Sequence, residues 1–138
     1  MQEKSESGFL ELAHTADWAL KVWGPDLAHL LSEAAHGMYA LMEVELSHEQ
    51  PVAMPFEMKA DDGESLLVSF LSELLYLGED QGLAFDRFEL DLQDFKLSGV
   101  LHGGLLASQR KEIKAVTYHE LEIIYTGSRY EATIVFDV

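Results

Sequence analysis

The period of the hydrophobic pattern changes along this chain, and the order of the changes limits the folds that it can adopt. Residues 18–23 alternate between two faces, as a strand does. Residues 25–42 and 61–78 instead place their apolar side chains three or four positions apart, as helices do. Alternation also appears at residues 52–58, between these two segments, and again from Phe88 to the last residues. The pattern therefore predicts an α+β fold, with two helices packed on a largely antiparallel β-sheet.

The predicted helix boundaries depend on residues with strong local preferences. Pro25 suits the first position of the first helix, which should run to about Met42. Asp61 and Glu64 have the spacing of a capping box, which would open the second helix. Gly78 is expected to end that helix. The second helix is the more apolar of the two, and we expect it to be the central core element.

Short alternating segments predict the strands. Pro55 indicates an edge position or a bulge in the strand between the two helices. Thr126, Gly127 and Ser128 predict a hairpin turn before the last strand. The predicted strands are residues 9–14, 18–23, 52–58, 88–93, 95–102, 113–119, 121–125 and 130–138.

The length of 138 residues predicts a single domain that spans residues 1–138, with residues 1–8 as a loose polar tail. This polar start does not have the pattern of a signal peptide, and no apolar run is long enough to span a membrane. The chain has no cysteine, which excludes disulfides and thiolate metal sites. This composition suits a reducing cytoplasm.

The charge of the chain is unusual, because 9 Lys and Arg stand against 25 Asp and Glu for a net charge of −16. Such a chain repels phosphate backbones, so tight direct binding of nucleic acid is not expected. Any role in RNA chemistry should act through a partner protein. The acidity also favours basic partner surfaces and weak binding of hard cations. Solubility alone would explain it equally well.

Three acidic groups are candidates for a metal site. Asp137 lies next to the terminal carboxylate of Val138, and a hard cation would relieve the repulsion between two such groups. Asp17 would complete the set if its segment folds against the last strand. The alternatives are an Asp17 that hydrogen-bonds its own turn and a solvated pair of acids at the terminus. His14, close to Asp17, is a weaker candidate, because such a histidine is more often packed or bonded to the backbone.

A second candidate patch is basic. Residues 110–114 hold Arg110, Lys111 and Lys114, and they lead directly into a segment that ends at His119. These cations could bind an anion or an acidic group of a partner, or they could simply offset the acidic body of the protein. His119 could titrate near neutral pH.

Standard catalytic motifs are absent from the sequence. It contains no glycine-rich phosphate loop, no Gly-x-Ser-x-Gly elbow and no His-Glu-x-x-His. Gly99, Gly103 and Gly104 are explained by strand bulges or turns. The absence of these motifs makes catalytic activity less expected but does not disprove it.

Four short motifs, in this order, resemble the archease family. The similarity extends over residues 9–138 of the chain. The motifs are His14-Thr15-Ala16-Asp17, the pair Ser65-Leu66-Leu67-Val68 and Glu73-Leu74-Leu75-Tyr76 in the second helix, Lys114-Ala115-Val116-Thr117-Tyr118-His119, and Phe136-Asp137-Val138.

The resemblance implies a cytoplasmic activator of the tRNA-splicing RNA ligase, which promotes guanylylation and multiple turnover of that enzyme. GTP and a metal would be used by the partner ligase, while this chain would bind Ca²⁺ or Mg²⁺ of its own. The family's metal ligands map onto Asp17, Asp137 and Val138, and Lys114 is the next functional candidate. Residues 102–110, interpreted as a loop, lack the acidic insert with proline that is common in relatives, and Trp18 follows the motif aspartate where an aliphatic residue is usual.

Two other classes of function remain open at this point. A cation held by carboxylates could activate a water for phosphoester hydrolysis. Such sites usually carry histidine ligands or a second metal, and the sequence shows no cluster of that kind. The other alternative is a general protein chaperone without a specific client.

Overall fold

The computed structural model describes residues 6–12 and 17–138, and in them two helices lie among strands of two antiparallel sheets. The predicted α+β class is therefore confirmed, with the strands divided between two sheets. The helices are α1 (Leu27–Met42) and α2 (Gly63–Gln81). The strands are β1 (Gly8–Leu12), β2 (Trp18–Gly24), β3 (Val44–Leu46), β4 (Val52–Lys59), β5 (Leu83–Gln93), β6 (Lys96–Gln109), β7 (Ala115–Val116), β8 (Ile124–Tyr125) and β9 (Tyr130–Asp137).

The first sheet places the last strand of the chain at its centre. Its order is β1-β2-β9-β7, and β8 also pairs with β9. β9 has β2 on one side, while the short strands β7 and β8 share its other side. Leu20, Ile134 and Phe136 on the inward face of this sheet are fully buried. The strand that ends in Asp137 is thus fixed firmly in the fold.

The second sheet is built around the long strand β6. β5 forms a hairpin with it on one side, and β4 and β3 pair with it on the other. β4 is an edge strand, which agrees with the interpretation of Pro55. Its side chains alternate, so that Met54, Phe56 and Met58 pack against the core.

Both helices contact strands of both sheets and so fill the space between them. α1 buries one broad apolar face, which agrees with the helical spacing in the sequence. Its fully buried residues, all on one side of the helix, include Leu30, Leu31, Ala34, Ala35 and Met38. Together with α2 they form one continuous core that reaches both sheets. None of the described helices is long and apolar enough to cross a membrane.

The N-terminal ends of both helices differ from prediction by one or two residues. The side chain of Asp26 caps α1 by accepting a hydrogen bond from the His29 N–H at 2.8 Å, so Pro25 lies before the cap. The side chain of Asp62 caps α2 in the same way. The predicted capping box of Asp61 and Glu64 is therefore wrong.

The predicted end of α2 at Gly78 is also wrong. The helix continues through Gly78 to Gln81 and ends at Gly82, whose φ of 66° is left-handed. The Gly82 N–H closes the helix by donating to the Gly78 carbonyl at 3.1 Å. Gly82, and not Gly78, is therefore the left-handed residue that ends the helix. Only a glycine adopts this conformation at little cost.

The strands differ from prediction at the ends of the second half. β6 extends to Gln109, so most of the segment 102–110 is strand and not loop. Residues 113–119 and 121–125 contribute only the two-residue strands β7 and β8. β3 was not predicted, since three residues are too few to show a period. At the start, Gly8 already belongs to β1, and the Ser7 hydroxyl donates to Glu33.

Candidate metal and partner site

Asp17 and Asp137 lie at the same end of two paired strands. β2 and β9 are antiparallel, and the last pair in their register is Trp18 with Phe136. Asp17 and Asp137 directly adjoin this last pair, Asp17 in a bend before β2 and Asp137 as the final residue of β9. Residues directly opposite each other in an antiparallel pair have Cα atoms roughly 4.5 to 5.5 Å apart, so the backbone at Asp17 lies close to the backbone at Asp137. The long-range pairing of the two strands thus brings together two carboxylates that are far apart in sequence.

The alternation of side chains explains why these aspartates are available at the surface. Phe136 points into the core and is completely buried, so Asp137 points to the outer face and is exposed. Trp18 packs partly against the same core, and Asp17 before it is half-buried. Asp137 therefore lies on the outer face, and Asp17, in the bend before β2, lies at the same end of the sheet.

Lys114 and Val138 adjoin the two aspartates. The Lys114 N–H donates to the Asp137 carbonyl at 2.8 Å, and Ala115 is paired with Asp137. Val138 follows directly, and its side chain packs against the core. The Lys114 side chain is exposed. The backbone thus holds Lys114 beside the end of β9.

The other two cations of the basic patch have partners within the molecule. Arg110 Nε lies 3.9 Å and Lys111 Nζ lies 3.2 Å from carboxylate oxygens of Glu43. Lys111 Nζ also lies over the Trp18 ring, 5.4 Å from its centroid. The interpretation that the patch offsets nearby acids fits these two residues. Lys114 is different, because no ion pair links it to another described residue.

The two candidate histidines have less support from geometry. His14 lies outside the described residues. His119 is exposed, and its Nε2 is 3.9 Å from a carboxylate oxygen of Glu120. The backbone N–H of His119 donates to the Thr117 hydroxyl at 3.2 Å, and that hydroxyl in turn donates to the Val135 carbonyl. Thr117 therefore ties the segment before His119 to β9.

The donor set at this end of the sheet suits a hard cation. Within the described part of the chain, no group of three His, Asp or Glu side chains is arranged around a metal position. The candidate set instead combines the side chains of Asp17 and Asp137 with the carboxylate of Val138. No ion pair or hydrogen bond to another described residue occupies either aspartate side chain. All the donors are oxygens, which Ca²⁺ and Mg²⁺ prefer.

Sequence reasoning missed the contact that joins the basic patch to the site. Lys111 lies over Trp18, the residue directly after Asp17. Its backbone N–H, like that of Arg110, donates to the Met42 carbonyl at the end of α1. The available signal was Trp18 itself, since an aromatic ring near a basic segment is a frequent partner for a cation.

The fold and the site define a class: a small acidic α+β protein with a carboxylate site at the end of a central strand. A sequence profile of the archease protein family matches residues 9–138. The chain belongs to the archease family.

Several relatives support this assignment over nearly the whole chain. The chain is 30% identical to protein archease of Pyrococcus furiosus, covering 91% of this chain and 94% of the relative. It is 33% identical to protein archease of Archaeoglobus fulgidus, covering 91% and 95%. It is also 33% identical to the archease-like protein of Drosophila melanogaster, covering 92% and 88%.

Solved structures show the same fold. The solution structure of a Methanobacterium thermoautotrophicum protein has a TM-score of 0.70 and 27% identity, covering 95% of this chain and 99% of that one. The crystal structure of an archease from Thermotoga maritima, described as a possible chaperone, has a TM-score of 0.71 and 23% identity, covering 92% and 94%.

Proposed function

We propose that this protein activates the tRNA-splicing RNA ligase, promoting guanylylation and multiple turnover of that enzyme without catalysing ligation. The single observation that supports the proposal is the pairing of β2 with β9, whose last pair, Trp18 with Phe136, directly adjoins Asp17 and Asp137. The Lys114 N–H donates to the Asp137 carbonyl at the same end of the sheet. These are the positions that the resemblance to archeases marks as functional. We also propose that the protein acts in the cytoplasm, which its lack of cysteine suits.

Asp17, Asp137 and the carboxylate of Val138 would hold a divalent cation, Ca²⁺ or Mg²⁺. The bound cation would supply a positive centre that attracts oxygen ligands of the partner or of its nucleotide. Two neighbouring carboxylates repel each other when no cation is present. The outer-face position of Asp137 leaves the site open to a partner.

Lys114 would act beside this centre as a second positive group. A lysine ammonium is a compact charge with three donors, so it can bind a phosphate or a carboxylate of the complex. Its backbone is fixed to β9, while its side chain remains exposed. Substitution of Lys114 should therefore affect the partner reaction and leave the fold intact.

This protein would recognise the surface of the ligase itself and not the RNA that the ligase binds. A net charge of −16 repels phosphate backbones and attracts a basic protein surface. The chain itself would therefore bind RNA only weakly. Loading of the ligase with guanylate, from GTP and a metal, would remain chemistry of the ligase.

A multiple-turnover ligation assay tests the proposal, with tRNA halves in excess over the ligase and this protein in catalytic amount. The wild-type protein should increase both the rate of ligase guanylylation and the number of turnovers. Asp17→Asn, Asp137→Asn and Lys114→Met should each lose most of this effect. Asp91→Asn is a matched control, because it neutralises one exposed carboxylate on β5, in the second sheet. Circular dichroism should show that all four variants are folded.

Three results, from the ligation assay and from measurements on this protein alone, separate the alternatives. Equal turnover with and without the wild-type protein would reject the role as activator. Release or hydrolysis of RNA ends by this protein alone would indicate a metal-dependent phosphoesterase. Equal protection of unrelated unfolded proteins, without any effect on the ligase, would indicate a general chaperone.

A further inference from the structure

A cavity of about 190 Å³ lies between the end of α1 and the second half of α2, away from the aspartates. Apolar side chains form most of its wall, among them Met42 and Leu74. Glu79 and Glu112 also line it, and both are exposed, so the cavity opens to solvent beside two carboxylates. An apolar interior with acidic groups at the mouth suits an occupant that is apolar and carries a positive charge.

Gly78 makes room for this cavity. It lies inside α2, where a side chain at this position would face the cavity. A Cβ built on Gly78 would come no closer than 3.6 Å to its nearest neighbour, the Leu83 carbonyl oxygen. Glycine in the interior of a helix is unfavourable, so local helix stability does not explain it. The absence of a side chain leaves open space that a larger residue would fill.

Tyr39 forms part of the wall and has an unsatisfied polar group. Its hydroxyl is buried without a hydrogen-bond partner among the described residues. Burial raises the pKa of Tyr39, an effect that the nearby backbone of Phe85 only partly offsets. Because the hydroxyl is closed off from solvent, Tyr39 presents its ring to the cavity and adds to the apolar wall.

The cavity is connected to the candidate metal site by one short segment. Glu112 and Ile113 line the cavity, and the next residue is Lys114, whose N–H donates to the Asp137 carbonyl. The same segment is bound at its other end to Met42, which also lines the cavity. A partner that contacts Lys114 and the end of β9 would therefore lie close to the mouth of the cavity.

We infer that the cavity receives an apolar side chain of the partner ligase, from a segment in which a neighbouring Lys or Arg meets Glu79 and Glu112. The inference depends on the proposed function, since it takes the ligase as the partner. A peptide segment of this kind matches the features of the cavity. Its apolar side chain fills the interior, and its basic side chain meets the two carboxylates.

The test measures the affinity of the complete protein for the ligase, by calorimetry at several salt concentrations, with variants that fill or neutralise the cavity. Gly78→Leu should occupy the space and weaken binding by at least about tenfold, because the buried apolar contact is lost. Gly78→Ala is the matched control: it removes the same glycine but adds only a methyl group, and its affinity should stay within about twofold of wild type. The double variant Glu79→Gln with Glu112→Gln should weaken binding and flatten its salt dependence.

Two further measurements, of calcium binding and of ligase activation, distinguish a failure of the cavity inference from a failure of the proposed function. Calcium binding by Gly78→Leu should match wild type, because the aspartates are unchanged. If wild type binds and activates the ligase and Gly78→Leu does so equally well, the cavity inference is wrong while the proposed function stands. If Gly78→Leu proves unfolded by circular dichroism, the glutamine double variant decides, and unchanged affinity in it overturns the inference. If wild type does not bind the ligase, both proposals fail.

Discussion

At the scale of single residues, the proposed cation site predicts that Asp17 and Asp137 lower stability when no cation is bound and raise it when one is bound. In the absence of a cation, two like charges that lie close together are destabilising. Both groups are accessible to water, which reduces the size of the effect to about 1 kcal/mol or less. Replacement of one carboxylate should therefore stabilise the protein when no cation is bound and abolish its response to the cation.

Thermal unfolding with a chelator and with calcium tests this expectation. Asp17→Asn should unfold in the chelator at the same temperature as wild type or slightly higher, and it should lose the increase that calcium gives to wild type. By calorimetry, calcium should bind wild type with a Kd on the order of 10⁻⁴ to 10⁻³ M, as in exposed calcium modules. An Asp17→Asn variant that keeps the full calcium response would exclude this residue as a ligand.

A C-terminal extension tests the third proposed ligand. Two or three alanines added after Val138 would move the terminal carboxylate away from Asp137, and calcium binding and ligase activation should both fall sharply. An extension before Met1 is the control, since no proposed ligand lies there. Full activation by the C-terminally extended protein would show that the terminal carboxylate is not needed.

Glu89 gives a residue-scale prediction that depends on pH. A hydrogen bond from Arg87, at 2.9 Å, and one from His102 Nε2, at 3.0 Å, lower the pKa of Glu89 below its ordinary value. A lowered pKa in the folded state stabilises the fold above the unfolded value of about 4.3. That contribution is lost as the pH falls through the folded pKa.

Carbon NMR titration of the side-chain carboxyls measures this effect directly. Arg87→Gln should raise the pKa of Glu89 toward its ordinary value. The stability difference between wild type and Arg87→Gln should be present above pH 4.3 or so and should shrink in more acidic solution. A Glu89 pKa that is the same in both proteins would show that Arg87 does not hold the carboxylate.

At the scale of elements, α2 contains two glycines whose replacement should have opposite effects. Gly78→Ala should stabilise the protein by roughly 0.5 to 1 kcal/mol, because alanine is the better residue in a helix interior and the added methyl meets no close neighbour. Gly82→Ala should destabilise it by about 1 kcal/mol, because φ is 66° at this position. Denaturant unfolding measures both changes. Effects of the same sign would contradict the assigned helix end.

The same helix shows how far local sequence patterns predict an element. The apolar spacing correctly predicted that α2 exists, but the expectation that it is the central core element is wrong. α1 is the more deeply buried helix, with eight buried residues of 16 against seven of 19 in α2. The ends of α2 were misplaced because two acids and two glycines compete for the same functions: Asp61 with Asp62 at the start, and Gly78 with Gly82 at the end. Which member of each pair acts as the cap depends on the tertiary position of the helix. Glu64 illustrates this, because its carboxylate accepts a hydrogen bond from the distant Ile123 N–H.

The sequence predicted which residues belong to the candidate site, but it did not predict which strand pairing brings their backbones close together. Charge alone suggested Asp17, Asp137 and Val138 as candidates, and the family resemblance implied that they converge. The pairing of β2 with β9 is a long-range feature that no local pattern contains. The division of the strands between two sheets was missed for the same reason, because strand alternation does not say which strands are neighbours.

At the scale of the whole molecule, the charge of −16 should control how the protein meets its partner. Association with the ligase should slow markedly when salt rises from about 0.05 to 0.5 M, because salt screens the steering between opposite charges. Stopped-flow measurement of the association rate tests this expectation. Binding to free tRNA, followed by fluorescence anisotropy, should remain weak at the lowest salt. A salt-independent rate, or tight tRNA binding, would contradict an electrostatic encounter with a protein surface.

The central position of β9 also determines the stage of folding at which the candidate site can form. Asp17 and Asp137 are separated by about 120 residues of chain, and closing so long a loop is entropically costly. Pairings of this kind tend to form late and to slow folding. A partly folded molecule that has only the hairpin of β5 and β6 would hold neither the neighbouring carboxylates nor the support for Lys114. Only molecules that have completed folding would therefore bind a partner. Partly folded chains would not bind the ligase.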